Sequence, residues 1–168
     1  MPNRFSGPYG PLFVVVLLGI VLDQATKWAA FRYLADSHNH DTVVRITSFL
    51  NLSLSRNEGG VFGFFQGGTA VLIALSIVAV FVVIWMYVRS EEIDSITTMS
   101  MGGILAGATG NLIDRVYFRY VRDFIDLHVG TRHWPTFNVA DALICVGVGI
   151  MVLNILAPGS LWPRRPRD

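Results

Sequence analysis

The sequence predicts an α-helical integral membrane protein with four transmembrane helices, a small extracytoplasmic β-platform and a loop that forms a lid. Of the 168 residues, 52% are hydrophobic and 15% are charged, whereas an ordinary soluble domain carries about 25% charged residues. The stretch "TAVLIALSIVAVFVVIWMYV", residues 69–88, contains no charged residue. At about 1.5 Å rise per residue it covers the roughly 30 Å hydrocarbon core of a bilayer.

Four apolar stretches predict helices at about 11–31, 69–88, 95–117 and 140–157. The first resembles a signal peptide but has no small-residue cleavage site, so we interpret it as a retained helix. The third has Gly103 and Gly107 four positions apart, a spacing that lets helix backbones approach closely. We therefore expect the third helix at the centre of one membrane-embedded domain, which covers residues 1–168.

Residues 40–68 form the predicted platform and lid. In "FLNLSLSRN" leucines alternate with polar residues, the period of two expected of a strand with one apolar face. The following "GGVFGFFQGG" combines glycines, which break regular structure, with phenylalanines, which suit a membrane interface. Residues 118–139 are predicted to form a second loop, after the third helix.

An even number of spans places both termini on one side of the membrane. The basic C-terminal sequence "WPRRPRD" makes that side cytoplasmic by the positive-inside rule, although the opposite side holds more Arg and Lys in total. The arginines are dispersed and form no basic face with aromatic partners, which excludes nucleic acid as a partner. We expect a monomer in the lipid bilayer.

Metal and thiol chemistry have little support in the sequence. The single cysteine, Cys145, cannot form an intrachain disulfide, and in its apolar run we interpret it as a small buried hydrophobe. His128 and His133 lie near carboxylates, but their spacing fits no zinc-protease signature such as H-E-x-x-H. We expect no metal and no cofactor.

Polar residues gather toward the helix ends opposite the termini, where ionisable groups near a membrane usually mark function. These residues are Asp23, Lys27, Asn57, Asn111, Asp114, Arg115, Asp123, Asp126, Asn138 and Asp141. Asp23 and Lys27 lie one helical turn apart and can neutralise each other, which favours a structural pair. A structural role is also expected for Asp114, whereas Arg115 has the donors to position a substrate carbonyl as well as to serve structure.

Asp123 and Asp141 are candidates for acid–base chemistry. If they meet at the membrane surface, repulsion and desolvation raise one pKa so that the pair shares a proton, as in aspartic proteases. A solvated loop aspartate is the commoner role for Asp123, and Asp126 is a rival for the first carboxylate.

Three other functions are open at this point. A small proton-coupled transporter would use the same aspartates as a relay, but it predicts polar residues at several depths, and here they gather at one side. A non-catalytic scaffold leaves the aspartates unexplained. A presenilin-like protease requires a G-x-G-D motif, which the sequence lacks.

Five motifs together resemble bacterial lipoprotein signal peptidase, signal peptidase II. They are "LDQATK" (22–27), "NEGGVF" (57–62), "GNLIDR" (110–115), "VRDFID" (121–126) and "FNVADA" (137–142). Their order and spacing match the family over nearly the whole chain. Glu58 and Gly60 stand where small or hydroxyl residues are more usual. We therefore expect a loop that is more mobile and more acidic than is typical of the family.

The resemblance implies a role for each matched residue. Asp123 and Asp141 become the catalytic pair, and Asp126 becomes an accessory. The residues implied to position substrate or catalytic groups are Asn57, Gly59, Asn111, Arg115 and Asn138. Asp23, Lys27 and Asp114 are implied to be supporting residues.

The resemblance also implies the function. It predicts an intramembrane aspartic endopeptidase that removes signal peptides from diacylglyceryl-modified prolipoproteins, cutting on the amino side of the lipidated cysteine. The expected location is the bacterial cytoplasmic (inner) membrane, as a multi-pass protein with both termini cytoplasmic and the active site near the extracytoplasmic face.

Overall fold

Four long helices and a four-stranded antiparallel sheet form the part of the chain that the computed structural model describes, residues 9–35, 43–58, 68–90 and 93–156. The helices are α1 (Tyr9–Ala35), α2 (Thr69–Arg89), α3 (Ser95–Phe118) and α4 (Val139–Leu156). Against the predicted bounds, α1 is longer at both ends. The strands are β1 (Val44–Arg45), β2 (Leu50–Asn57), β3 (Val121–Val129) and β4 (Arg132–His133), in the order β1-β2-β3-β4.

α3 is the central helix, and it packs against α1, α2 and α4. Its small residues allow close approach: a Cβ on Gly107 would collide with the carbonyl oxygen of Ala140 in α4, and a Cβ on Gly110 with the Asp23 carboxylate in α1. The N-terminal end of α3 is capped by Asp94, whose side chain accepts a 2.7 Å hydrogen bond from the Thr97 N–H. The glycines therefore set the distance between the helices that carry the polar residues.

The outer surface of the bundle is apolar. Large hydrophobic side chains on α1, α2 and α4 are exposed, among them Phe13, Phe81, Trp85 and Leu153, which suits a lipid environment. α1 and α2 are long and apolar enough to cross a membrane by length and composition, and α4 contains a shorter apolar segment. Cys145 is exposed on α4, so the predicted burial is wrong, because in such a bundle apolar residues also face outward.

The sheet lies at the end of the bundle where α1 and α3 finish and α2 and α4 begin. β2 and β3 pack against α1, and β3 also packs against α3. The period-two strand predicted in "FLNLSLSRN" corresponds to β2, which has an irregularity between Leu52 and Ser55. The prediction of a loop over residues 118–139 is wrong in part, because β3 and β4 lie there. The first four residues of β3 are all buried, so its sequence shows no alternation of apolar and polar residues.

Candidate active site

Asp123 and Asp141 lie in one hydrogen-bonded network at the sheet end of the bundle. Asp123 comes from β3 and is 1% exposed, and Asp141 comes from the first turn of α4. Asn138 joins them: its Nδ2 donates to Asp123 Oδ1 (2.6 Å), and its backbone N–H donates to Asp141 Oδ2 (3.1 Å). Two segments far apart along the chain are thus linked through one buried asparagine.

The start of α4 explains the position of Asp141. Asn138 immediately precedes the helix, and its Oδ1 accepts a 3.0 Å hydrogen bond from the Asp141 N–H while the Asp141 carboxylate accepts from the Asn138 N–H. This reciprocal pair is a capping box, with Asn and Asp in place of the usual Ser or Thr and Glu. The first helical turn also favours a negative charge. The motif "FNVAD" therefore both begins the helix and fixes a carboxylate.

Two more asparagines hold the two carboxylates. Asn57, at the end of β2, donates from Nδ2 to Asp123 Oδ2 (3.0 Å). Asn111, on α3, donates from Nδ2 to Asp141 Oδ1 (2.8 Å). Each of the four carboxylate oxygens therefore accepts a hydrogen bond, so the rotamers of both carboxylates are fixed.

The environment of Asp123 favours its protonated form. Burial, followed by the negative charge of Asp141, raises the pKa of Asp123 from 3.8 to about 7, against the opposing hydrogen bonds from Asn57 and Asn138. A carboxyl group with a pKa near neutral can give and take protons under ordinary conditions. The site therefore places a carboxyl group suited to proton transfer near a second carboxylate, a combination that acid–base catalysis by two carboxylates uses.

Arg115 contributes positive charge beside the two carboxylates. It interacts electrostatically with Asp141 and Asp123, and its Nη1 makes a long 3.5 Å hydrogen bond to the Asn111 carbonyl oxygen. Its Nε is buried and has no hydrogen-bond partner among the described residues.

Asp23 and Lys27 lie behind the carboxylates and are both fully buried. Lys27 Nζ contacts Asp23 Oδ2 at 2.9 Å and Asp114 Oδ2 at 3.4 Å, and it donates a 2.9 Å hydrogen bond to Asn111 Oδ1. Asp23 Oδ1 accepts from the Ala140 N–H in the first turn of α4. This group connects α1 to α3 and α4 and orients the amide of Asn111.

Two residues of the network escaped the sequence analysis. The Arg122 guanidinium makes hydrogen bonds to Asp114 and Gln24, and Gln24 Nε2 donates to Asp23, Asp114 and the Gly110 carbonyl oxygen. Gln24 lies inside "LDQATK" and Arg122 inside "VRDFID". Their adjacency to Asp23 and Asp123 was the available signal.

Asp126 is not part of this network. Its Oδ2 accepts from Asn51 Nδ2 (3.0 Å) and its Oδ1 lies 2.8 Å from His133 Nδ1. Burial raises its pKa, but the hydrogen bonds from His133 and Asn51 outweigh burial and leave the pKa below its usual value. Since Asp123 and Asp126 are three residues apart on one strand, they point to opposite faces. The structure therefore favours Asp123 as the partner of Asp141.

The remaining predicted positions are placed as follows. Gly59 and most of the predicted lid lie outside the described residues. His128 stacks on His133 with ring centroids 5.1 Å apart. In the described part of the chain, no group of three or more His, Cys, Asp or Glu side chains is arranged to hold a metal ion.

An apolar helical bundle with two linked carboxylates at one end agrees with a membrane peptidase of the aspartic class. The family model of signal peptidase (SPase) II matches residues 15–157. The chain therefore belongs to the signal peptidase II family, and it is a peptidase. This assignment gives no support to the transporter that the sequence analysis left open.

Known proteins resemble the chain over most of its length. A lipoprotein signal peptidase of Coxiella burnetii is 36% identical over 168 residues, covering 97% of this chain and 100% of that protein. A lipoprotein signal peptidase of Desulforapulum autotrophicum is 37% identical over 151 residues, covering 86% and 91%.

Two solved structures of bacterial membrane enzymes share the fold. One has a TM-score of 0.79 at 24% identity and covers 95% of both chains. The other has a TM-score of 0.76 at 25% identity, covering 89% of this chain and 94% of that chain. The protein is thus a helical bacterial membrane protein.

Proposed function

We propose that this protein removes signal peptides from diacylglyceryl-modified prolipoproteins, cutting on the amino side of the lipidated cysteine, with Asp123 and Asp141 as its catalytic pair. One observation carries the assignment of the pair: Asp123 and Asp141 are joined through Asn138, and Asp141 helps to raise the pKa of Asp123 to about 7. The relatives named as lipoprotein signal peptidases support the substrate class.

In the proposed reaction the pair carries one proton. Because burial and the neighbouring charge raise the pKa of Asp123 to about 7, we assign that proton to Asp123. Asp141 removes a proton from a water molecule as the water attacks the scissile carbonyl carbon, and Asp123 donates its proton to the developing oxyanion. Collapse of the tetrahedral species breaks the C–N bond as the proton taken up by Asp141 passes to the leaving nitrogen. One hydroxyl of the tetrahedral carbon returns its proton to Asp123, which yields a carboxylic acid product and restores the single proton of the pair.

The neighbouring polar residues hold the reacting groups. Asn57, Asn111 and Asn138 fix the two carboxylates through the hydrogen bonds described above. Arg115 offers its unpartnered Nε to a substrate carbonyl oxygen, a role that its charge favours as negative charge develops. Gly59 belongs to the same proposal as a substrate-positioning residue, on the resemblance alone.

The membrane arrangement belongs to the same proposal. All four helices cross the bacterial inner membrane, both termini are cytoplasmic, and the protein acts as a monomer. The sheet then lies at the extracytoplasmic face, beside the ends of α1 and α3. A substrate with a diacylglyceryl anchor reaches this depth by lateral diffusion in the bilayer, which agrees with polar residues gathered at one end of an apolar bundle.

The substrate assignment is tested with detergent-purified protein and two forms of one prolipoprotein, with and without the diacylglyceryl group. We expect signal-peptide release, followed on a gel and by mass spectrometry of the new N-terminus, only from the lipidated form. A matched substrate with Ser in place of the lipobox cysteine controls for sequence recognition. Equal cleavage of all three substrates would contradict the proposed requirement for the lipid.

A further inference from the structure

Four buried charged side chains form a closed cluster behind the proposed catalytic pair. We name it the charge cluster, and its members are Asp23, Lys27, Asp114 and Arg122. Arg122 Nη2 lies 2.8 Å from Asp114 Oδ1, and Lys27 Nζ lies 2.9 Å from Asp23 Oδ2 and 3.4 Å from Asp114 Oδ2. When all four side chains are ionised, the charges of the two anions and the two cations sum to zero.

Arg122 holds Asp114 more extensively than a simple ion pair. Its Nε and Nη2 bind the two oxygens of the carboxylate, and its backbone N–H donates a further 2.9 Å hydrogen bond to Oδ2. The guanidinium carbon also lies 4.4 Å from the centre of the Phe118 ring, a cation–π contact. This clamp joins the first residues of β3 to the end of α3, one residue before Asp123.

The charge cluster is connected to the catalytic pair by hydrogen bonds. Lys27 donates to Asn111 Oδ1, and Asn111 donates to Asp141 Oδ1. Asp23 accepts from the Ala140 N–H, one residue before Asp141. Because these groups are buried, an unbalanced charge in the cluster is weakly screened and changes how tightly the pair holds its proton.

Few other described charges face the catalytic pair. Arg115 of α3 lies outside the cluster and interacts electrostatically with both aspartates, and with one shared proton the charges of the pair and Arg115 also sum to zero. From β2 the pair meets the uncharged Asn57, whereas the exposed Arg56 lies over the Tyr120 ring. The site therefore consists of two neighbouring groups that each have no net charge: the charge cluster, and the catalytic pair together with Arg115.

We propose that Arg122 is a positioning residue for peptide cleavage, which keeps the charge cluster neutral and thereby sets the pH range in which the catalytic pair carries a single proton. The inference rests on the proposed role of Asp123 and Asp141. It differs from a purely structural role for Arg122, because the sign of the charge, and not only the loss of contacts, determines the effect.

Opposite shifts of the pH profile test this role. Arg122→Gln leaves the cluster one unit negative, so the pair binds its proton more tightly and the alkaline limb of kcat/KM, where that proton is lost, moves to higher pH. Asp114→Asn leaves the cluster one unit positive, so the limb moves to lower pH. A unit charge about 10 Å away at an effective dielectric constant of about 20 shifts each limb by about one pH unit. The double variant Asp114→Asn/Arg122→Gln restores neutrality and returns the limb to its wild-type position.

Two further variants separate charge from packing. Arg122→Lys keeps the charge but loses the two-pronged contact, so we expect a lower kcat with an unshifted alkaline limb. Arg132→Gln removes an exposed positive charge on β4 and serves as the matched control, with an unchanged profile. Thermal melting in detergent identifies variants that fail to fold. If Arg122→Gln fails to fold, a limb that moves to lower pH in Asp114→Asn and stays in place in Arg122→Lys still tests the effect of charge.

The outcomes separate this inference from the proposal on which it rests. Limbs that move in the same direction in both single variants, or that fail to return in the double variant, would overturn the role of Arg122. Undiminished cleavage by Asp123→Asn would overturn the catalytic pair itself, whatever the profiles of the cluster variants.

Discussion

The two faces of β3 place chemically identical side chains in opposite environments. Asp123 points toward α4, where burial and Asp141 raise its pKa to about 7. Asp126 points to the other face, where a histidine and an amide hold its pKa below the usual value. Each aspartate accepts a hydrogen bond from one asparagine of β2, Asn57 for Asp123 and Asn51 for Asp126.

The difference teaches that burial and a second carboxylate act together to separate a reactive aspartate from a structural one. Burial is the larger cause of the raised pKa of Asp123 and the charge of Asp141 is the next, whereas hydrogen bonds outweigh burial at Asp126. A neighbouring anion favours protonation, whereas a neighbouring histidine favours the ionised form. Only the face that meets the start of α4 therefore combines two carboxylates with a transferable proton.

The largest expected effect comes from neutralising each aspartate in turn. Asp123→Asn removes the exchangeable proton but keeps the shape and much of the hydrogen bonding, so we expect cleavage of a lipidated prolipoprotein to fall by at least about 1,000-fold. Asp126→Asn is the matched control on the same strand and leaves the rate within a few-fold of wild type. Comparable losses of cleavage rate in the two variants would contradict the assignment of a catalytic face and a structural face to β3.

The two asparagines of β2 sharpen the same comparison. Asn57→Ala removes the hydrogen bond to Asp123 Oδ2, and the loss of a bond to a charged or proton-sharing group predicts a drop in kcat of about 10- to 100-fold. Asn51→Ala removes the corresponding bond to Asp126 and leaves kcat nearly unchanged. Single-turnover cleavage measures both, and a larger loss in Asn51→Ala would contradict the assignment of the catalytic face.

The opposite pKa shifts predict opposite dependences of stability on pH. Asp123 binds its proton more tightly when folded, so stability falls as the pH rises from about 4 to about 7, and Asp123→Asn flattens this fall. Asp126 has a lowered folded pKa, so its stabilisation is present above its unfolded pKa and lost on acidification, and Asp126→Asn removes it. Melting temperatures in detergent between pH 3 and pH 9 test both signs, and a parallel response of the two variants would contradict them.

The smallest expected effect concerns His133. Its side chain is 52% exposed, and exposed ion pairs contribute at most about 1 kcal/mol. His133→Gln should therefore lower the melting temperature slightly and leave cleavage of the lipidated substrate unchanged. A large loss of activity with intact folding would mean that the Asp126 face takes part in the reaction.

The sequence predicted the helices better than the sheet. Apolar runs identify α1, α2 and α4, and the small residues of α3 indicate a central packed helix. β2 alternates, which predicts a strand, whereas in β3 buried residues such as Val121, Arg122 and Asp123 follow one another without alternation, so its sequence predicts a loop. Alternation identifies only a strand with one polar face.

The sequence indicates candidate site residues that the structure brings together, but it does not indicate how they are connected. Spacing alone leaves Asp123 and Asp126 as rivals. Their separation of three residues places them on opposite faces only if the segment is a strand, and the sequence does not predict β3. Gln24 and Arg122 were overlooked, since nothing local indicates that an arginine of β3 reaches α1 and α3. Such contacts depend on the packing of segments distant in sequence.

Infrared difference titration tests the central claim, the shared proton, most directly. The account predicts a protonated carboxyl absorption in the wild-type protein at pH 6 that disappears as the pH rises through about 7. This signal should be absent in Asp123→Asn, shifted to lower pH in Asp141→Asn, and unchanged in Asp126→Asn. A titrating signal that persists in Asp123→Asn but vanishes in Asp126→Asn would contradict the account and place the proton on the other face of β3.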